Sequence, residues 1–100
     1  MIDLLRSRRS IRKYQRKPIE PESVKLIEEA LLRSPSSRGI NPWRFIFVDE
    51  PELLARLSEA KEHGSDFLRN AVLGIVVCGD ETASDVWIED CSIASIVAQL

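Results

Sequence analysis

The run Ala71-Val72-Leu73-Gly74-Ile75-Val76-Val77-Cys78, closed by Asn70 on one side and Gly79-Asp80 on the other, constrains this chain more than any other stretch. Apolar residues without polar alternation over this length, bounded by turn formers, read as a strand covered on both faces. Such a strand needs layers to cover it, and the flanking sequence supplies helices. The run is also far too short to span a bilayer, which takes about 20 residues in a helix. A chain of 100 residues makes one domain at most, and at this size about 60 to 65% of the unfolded surface is buried on folding.

A second strand is predicted at residues 43–48, Trp-Arg-Phe-Ile-Phe-Val, aromatic and β-branched apart from Arg44. Asp3 is placed to cap a short first helix through Leu4, Leu5 and Arg6, after which Ile11 and Tyr14 favour extended backbone up to Pro18. Pro21, the acids Glu20 and Glu22, and apolar Val24, Ile27 and Leu31 mark a helix over about residues 21–33, which Pro35 ends. Asp49 is placed to cap another, carrying Leu53, Leu54, Leu57 and Ala60 and ending near His63-Gly64, where the imidazole would favour the helix dipole. A last helix starts near Asp85 with Ile93, Ile96, Val97 and Leu100 on one stripe. That stripe is still apolar at the final residue, so the 100 residues are expected to be the first part of a longer polypeptide. Helices interleaved with strands make the chain α+β.

Charge is uneven. The chain carries a net −2, yet residues 1–50 hold eleven basic and seven acidic side chains, while residues 51–100 hold three and nine. Seven Lys or Arg and no acid lie between Arg6 and Lys17, so the first half is the one suited to an anion. A phosphate monoester is nearly a dianion, and a guanidinium binds two of its oxygens at once. If the first helix continues this far, Arg8 and Arg12 share a face and Ser10 can donate a hydroxyl to the same group. Taken alone, the run is more often a solvated basic face or a set of surface salt bridges than an anion site.

Downstream lies Ser34-Pro35-Ser36-Ser37-Arg38-Gly39-Ile40-Asn41-Pro42-Trp43, a loop of turn formers; by itself Pro35-Ser36-Ser37 is a helix stop followed by a turn. Trp43 is expected to be a structural aromatic at the strand entrance. Cys78 and Cys91 form no C-x-x-C pattern, so zinc, iron–sulfur and dithiol chemistry find no support, and both are expected to be reduced, buried and inert. Neither G-x-G-x-x-G nor a Walker loop is present. An acidic chain without a helix-turn-helix or RNA-binding signature argues against nucleic acid as the partner of the basic run. The absence of a secretory pattern and of a long apolar segment points to the cytoplasm and away from a membrane.

The two motifs, in this order and spacing, resemble the N-terminal half of the FMN-dependent nitroreductase family. Arg8, Arg9, Ser10 and Arg12 match that family's Arg-Arg-Ser-x-Arg run, which grips the FMN phosphate and ribityl chain. Pro35, Ser36, Ser37, Pro42 and Trp43 match its Pro-Ser-Ser loop and the Pro-Trp that opens the first strand, with Gly39 and Asn41 inside the loop where many relatives have Asn and Gln. The resemblance continues weakly through residues 68–78 and 87–100.

The resemblance implies a nitroreductase-like α+β fold, helices around a mixed or antiparallel sheet, of which residues 1–100 are the N-terminal part of a single domain completed beyond residue 100 and by a second subunit. It implies a homodimer holding FMN at the interface, with Arg8, Arg9, Ser10, Arg12, Pro35, Ser36, Ser37, Gly39 and Asn41 as cofactor-binding residues. It implies hydride transfer from NAD(P)H to FMN, then to a small-molecule electron acceptor such as a nitroaromatic or a quinone, in a ping-pong cycle. No side chain stands out as a catalytic acid, base or nucleophile. Two alternatives stay open: a non-catalytic phosphate- or nucleotide-binding dimer, and a flavin enzyme of this fold with another reaction. Replacing Ser36 and Ser37 together by Ala is expected to leave the fold intact.

Overall fold

The computed structural model describes all 100 residues. The elements are α1 (Ile2–Ser7), α2 (Pro21–Leu32), β1 (Trp43–Val48), α3 (Pro51–Ser58), β2 (Gly74–Gly79) and α4 (Trp87–Gln99), with 3-10 turns at Ser37–Gly39 and Asp66–Asn70. The two strands are neighbours in one sheet. They run antiparallel: the Asp80 amide donates to the Pro42 carbonyl at 2.8 Å before one end of β1, and Gly74 lies beside the Val48 carbonyl at the other. No helix is long and apolar enough to cross a membrane.

The chain forms two compact units. The first comprises Met1–Arg9, Glu20–Phe45 and Val77–Leu100. Here α2 packs against α4, and Leu31 and Ala94 are both fully buried. As the periodicity predicts, Val24 and Ile27 lie on the inward side of α2 with Leu31. Trp43 is buried, its ring 5.0 Å from that of Phe45, in keeping with a structural aromatic; its indole N–H has no acceptor.

The second unit comprises Ser10–Ile19 and Ile46–Val76. There α3 packs on the Asp66–Asn70 turn, and Leu54 is buried against Gly74, where a Cβ would fall 2.9 Å from the Leu54 Cδ2. The extended segment from residue 10 to 19 is tied in by an edge-on contact between the Tyr14 and Phe67 rings and by Arg16 donating to Asn70 Oδ1 at 3.0 Å.

Several expectations are corrected. Helix α3 ends at Ser58, not near His63, because the buried Ser65 hydroxyl reaches back to the Ser58 carbonyl at 2.8 Å and the chain turns between them. His63 is therefore an exposed turn residue with no helix end to cap. Asp49 does not cap α3; Glu50 is the N-cap, and Pro51 at the first helical position sets the start without a side-chain bond. Strand β2 begins at Gly74 rather than Ala71, and its residues 75–78 are half-buried rather than covered on both faces.

In α4 the buried line is Asp90 and Ala94, with Cys91, Val97 and Ala98 half-buried, whereas Ile93, Ile96 and Leu100 of the expected stripe are exposed. The helix is apolar on several sides, so periodicity cannot choose its inner face; the small side chain of Ala94 suits the close approach to α2. Cys78 and Cys91 are free thiols, half-buried rather than buried. Burial pushes the Cys91 thiol above its ordinary value, with the Asp90 charge adding to the effect, so it stays protonated near neutral pH.

Candidate functional site: a basic run and a carboxylate-anchored loop

Helix α1 stops at Ser7, and Arg8, its C-cap, already has extended backbone (φ −59°, ψ 133°). The helical i, i+4 face that would align Arg8 with Arg12 is therefore not formed. Six residues give a helix too few internal bonds to carry a β-branched and charged run further. Arg9 turns back and donates from Nη1 to the carbonyls of Arg6 and Arg8, both at 2.8 Å, closing the end of α1. Two bonds engage only part of a guanidinium's five donors. Arg12 donates weakly to the Ser10 carbonyl at 3.4 Å. Arg9, Ser10 and Arg12 are exposed and Arg8 is half-buried. The boundary between the two units falls between Arg9 and Ser10. In the second unit a groove lined by Ile11, Lys13, Tyr14, Lys17, Leu68 and Val72 takes in the two lysines of the basic run and none of the four predicted clamp residues.

The serine loop lies wholly in the first unit, and its geometry is set by one residue that sequence reasoning did not single out. Asp90, in the first turn of α4, is 2% exposed. Its Oδ2 accepts from the Ser36 hydroxyl at 2.8 Å, and both carboxylate oxygens accept from the Ser37 amide at 3.2 and 3.3 Å. The same Ser36 hydroxyl oxygen accepts from the Asn41 amide at 2.8 Å. Burying a carboxylate costs several kcal/mol unless hydrogen bonds replace its water, and these do, with the helix N-terminal dipole assisting. Asp90 thus joins α4 to both ends of the loop.

The backbone between those ends is unusual. Arg38, Gly39 and Asn41 all lie in the left-handed region, with φ of 57°, 65° and 53°. Glycine enters it freely and Asn more readily than most residues, whereas for Arg it is strained. Space is not the reason for Gly39, since a Cβ there would meet nothing within 4 Å. Asn is the other residue type that tolerates such a φ, so an exchange of Gly39 for Asn would preserve the backbone. Arg38 forms an exposed ion pair with Asp85 at 2.6 Å, worth at most about 1 kcal/mol.

Four amides of the loop are committed within the molecule: Ser37 to Asp90, Gly39 to the Ser36 carbonyl, Ile40 to the Ser37 carbonyl and Asn41 to Ser36. What the loop turns outward is side chains, among them exposed Ser37 and Asn41. Pro35 is also exposed, while Pro42 is fully buried and fixes the entry to β1. Ser36 and Ser37 therefore differ, contrary to the expectation that neither matters to the fold. Ser36→Ala removes one donor from a buried carboxylate and the acceptor of the Asn41 amide, and should destabilise by about 1 to 2 kcal/mol. Ser37→Ala should stay within about 0.5 kcal/mol, as exposed substitutions do. Urea unfolding of the two single variants checks this; equal midpoints would contradict it.

The sequence signal for Asp90 was available: an acid on the same helical line as Ala94, in a helix of otherwise apolar inward residues. These features define an α+β chain with an anion-suited basic run and a loop held in a strained shape by a buried carboxylate. The chain belongs to the Nitroreductase family, whose pattern it matches over residues 5–71. It is similar to an FMN-dependent nitroreductase from Clostridium difficile R20291, with 47% identity and a TM-score of 0.96 over 99% of this chain and 58% of that one. A protein of Archaeoglobus fulgidus provisionally named NADH dehydrogenase/NAD(P)H nitroreductase is 39% identical over 94% of this chain and 56% of its own length. A Desulfovibrio desulfuricans protein, provisionally described as a nitroreductase and solved in complex with FMN, is 28% identical with a TM-score of 0.80 over 98% of this chain and 59% of that one. The chain spans somewhat more than half the length of each.

Proposed function

We propose that the chain is part of an FMN-dependent oxidoreductase that works as a homodimer in the cytoplasm, and that Arg8, Arg9, Ser10 and Arg12 hold the cofactor phosphate while the Ser36 to Asn41 loop meets its ring end. The observation that carries this reading is the joint presence, in a chain matching the family over residues 5–71, of the basic run and the shaped serine loop. The donor chemistry fits the group: three guanidinium groups and a hydroxyl, without an acid among them, suit a phosphate dianion. The broken helix after Ser7 makes the clamp an extended one, in which successive residues present donors from the backbone direction of each rather than from a single helical face.

When bound, the flavin supplies the redox chemistry, taking a hydride from NAD(P)H and passing electrons to an acceptor such as a nitroaromatic or a quinone in a ping-pong cycle. The chain's own residues anchor and orient. The arginines fix the phosphate end, and the loop fixes what approaches the other end, through the outward side chains of Ser37 and Asn41. This division accounts for the lack of a nucleophile or an acid–base pair in the site, since the protein's contribution is position and electrostatics.

The absorbance spectrum of the purified natural-length protein tests the reading: bands near roughly 370 and 450 nm, bleached by NADH or NADPH under argon and restored by a quinone, are expected of a protein-held flavin. A colourless protein that neither takes up added FMN nor oxidises NAD(P)H would instead favour the non-catalytic phosphate-binding reading.

A further inference from the structure

We propose that Asp90 is a positioning residue of the flavin site: its buried carboxylate holds the Ser36 to Asn41 loop in the one backbone shape that presents Ser37 and Asn41 outward. The proposal rests on the reading of that loop as the ring-end contact, and extends it to a residue on a different element, 54 positions along from Ser36.

The argument starts from strain. Three of four consecutive residues from Arg38 to Asn41 occupy the left-handed region, and one of them, Arg38, has a Cβ that opposes it. Such backbone persists only where its surroundings over-determine it. Here the constraint is visible: Asp90 holds Ser36 and Ser37 on the entering side, and the Ser36 hydroxyl relays the hold to the Asn41 amide on the leaving side. With both ends pinned and Pro42 buried behind them, few backbone conformations close the intervening four residues. The Arg38 to Asp85 pair, by contrast, is exposed and bridges only the tip.

The chemistry of the anchor is also specific. A carboxylate accepts at both oxygens and donates at neither, so it can take the hydroxyl and the amide together. Asn in its place keeps one acceptor and introduces an N–H₂ that faces a donor. The loop should loosen without a change in side-chain volume. Ser36→Ala cuts the relay to Asn41 but leaves the Ser37 amide bond, so it should release the leaving side of the loop more than the entering side.

The test compares Asp90→Asn and Ser36→Ala with the wild type in the natural-length protein, using two readouts. The first needs no flavin. Hydrogen exchange of the apoprotein should show the Ser37 and Asn41 amides opening about tenfold faster in Asp90→Asn, and Asn41 more than Ser37 in Ser36→Ala, with α2 unchanged, since an amide's local protection follows the free energy of its opening. Trypsin should cut after Arg38 correspondingly faster. The second readout is the bound flavin. Visible circular dichroism of the ring should change in both variants, and the FMN dissociation constant should rise by about tenfold, the loss expected when a binding-competent loop shape falls to a tenth of the population.

Unchanged exchange at Ser37 and Asn41 in Asp90→Asn would overturn the anchor. Faster exchange together with an unaltered flavin spectrum and affinity would overturn the positioning role. A wild type that binds no FMN would defeat the functional reading and this proposal with it, before any variant is made. If Asp90→Asn does not fold, Ser36→Ala alone decides, through the contrast between its two amides.

Discussion

Gly79→Ala should destabilise the protein by about 2 to 3 kcal/mol, the cost typical of forcing an extra methyl into an already close contact. A Cβ at Gly79 would collide with Trp87 Cε3 and fall 3.1 Å from Trp87 Cζ3 and 3.0 Å from Cys91 Sγ. The obstacle is a rigid indole ring, which cannot bend aside as the tip of a lysine can. Trp87 is the first residue of α4, so relief must come from shifting the start of that helix away from the end of β2. Asp90 lies one turn further along the same helix. The substitution should therefore disturb the serine loop as well, and hydrogen exchange at Ser37 and Asn41 should rise together with the fall in the urea midpoint. Gly39→Ala offers the contrast, because it meets open space and costs only the left-handed φ, about 1 kcal/mol. A Gly79→Ala variant as stable as the wild type would show that α4 yields freely, and would weaken the view that its first turn is a fixed platform for Asp90.

What was legible in the sequence follows from how local each signal is. Strand β1 was readable to the residue, since Trp43 to Val48 lies between a buried proline and an Asp-Glu-Pro stop, and α2 was readable from a proline at its start and a regular apolar stripe. The errors come from contacts that periodicity does not encode. The end of α3 depends on Ser65, seven residues beyond the carbonyl it bonds. The 3-10 turn Asp66–Asn70 has no strong local signature, and its place is set by packing on α3. The inner face of α4 was misread because large apolar residues suggested Ile93 and Ile96, whereas the space beside α2 admits Ala94. Asp90 was missed for the same reason: its partners are a hydroxyl and an amide more than fifty residues away, and an acid in a first helical turn looks like ordinary dipole compensation.

The candidate site shows the same division between motif and geometry. The arginine run and the Pro-Ser-Ser loop were found as residue types in order. Their conformations were not. The turn formers of the loop do not say where its amides go, and the structure commits four of them internally. The run was allowed a helical register that the early end of α1 removes. Neither correction withdraws the residues from the site; both change which atoms remain to meet a ligand.

Arg8→Ala combined with Arg12→Ala should weaken FMN by about 3 to 5 kcal/mol, taking each charge-assisted contact at roughly 1.5 to 3 kcal/mol and allowing for incomplete additivity between neighbours. Riboflavin, which lacks the phosphate, should lose far less, so the ratio of the two affinities isolates the phosphate contact from any general loosening of the site. Single substitutions should separate the two arginines further. Arg8 is half-buried at the end of α1 and Arg12 is exposed in the extended segment, so Arg12→Ala should leave stability within about 0.5 kcal/mol of wild type, as exposed substitutions do. Salt supplies an independent check, since an exposed guanidinium contact to a dianion weakens as ionic strength rises over the range where the screening length falls to about 10 Å and below. FMN affinity should decline with added chloride more steeply in the wild type than in the double variant. Titration of the apoprotein with FMN and riboflavin, followed by quenching of flavin fluorescence, measures all of these. Equal losses for the two ligands, or a salt dependence unaffected by removing both arginines, would take the phosphate away from this run and leave Lys13 and Lys17, on the wall of the groove in the second unit, as the next basic groups to test.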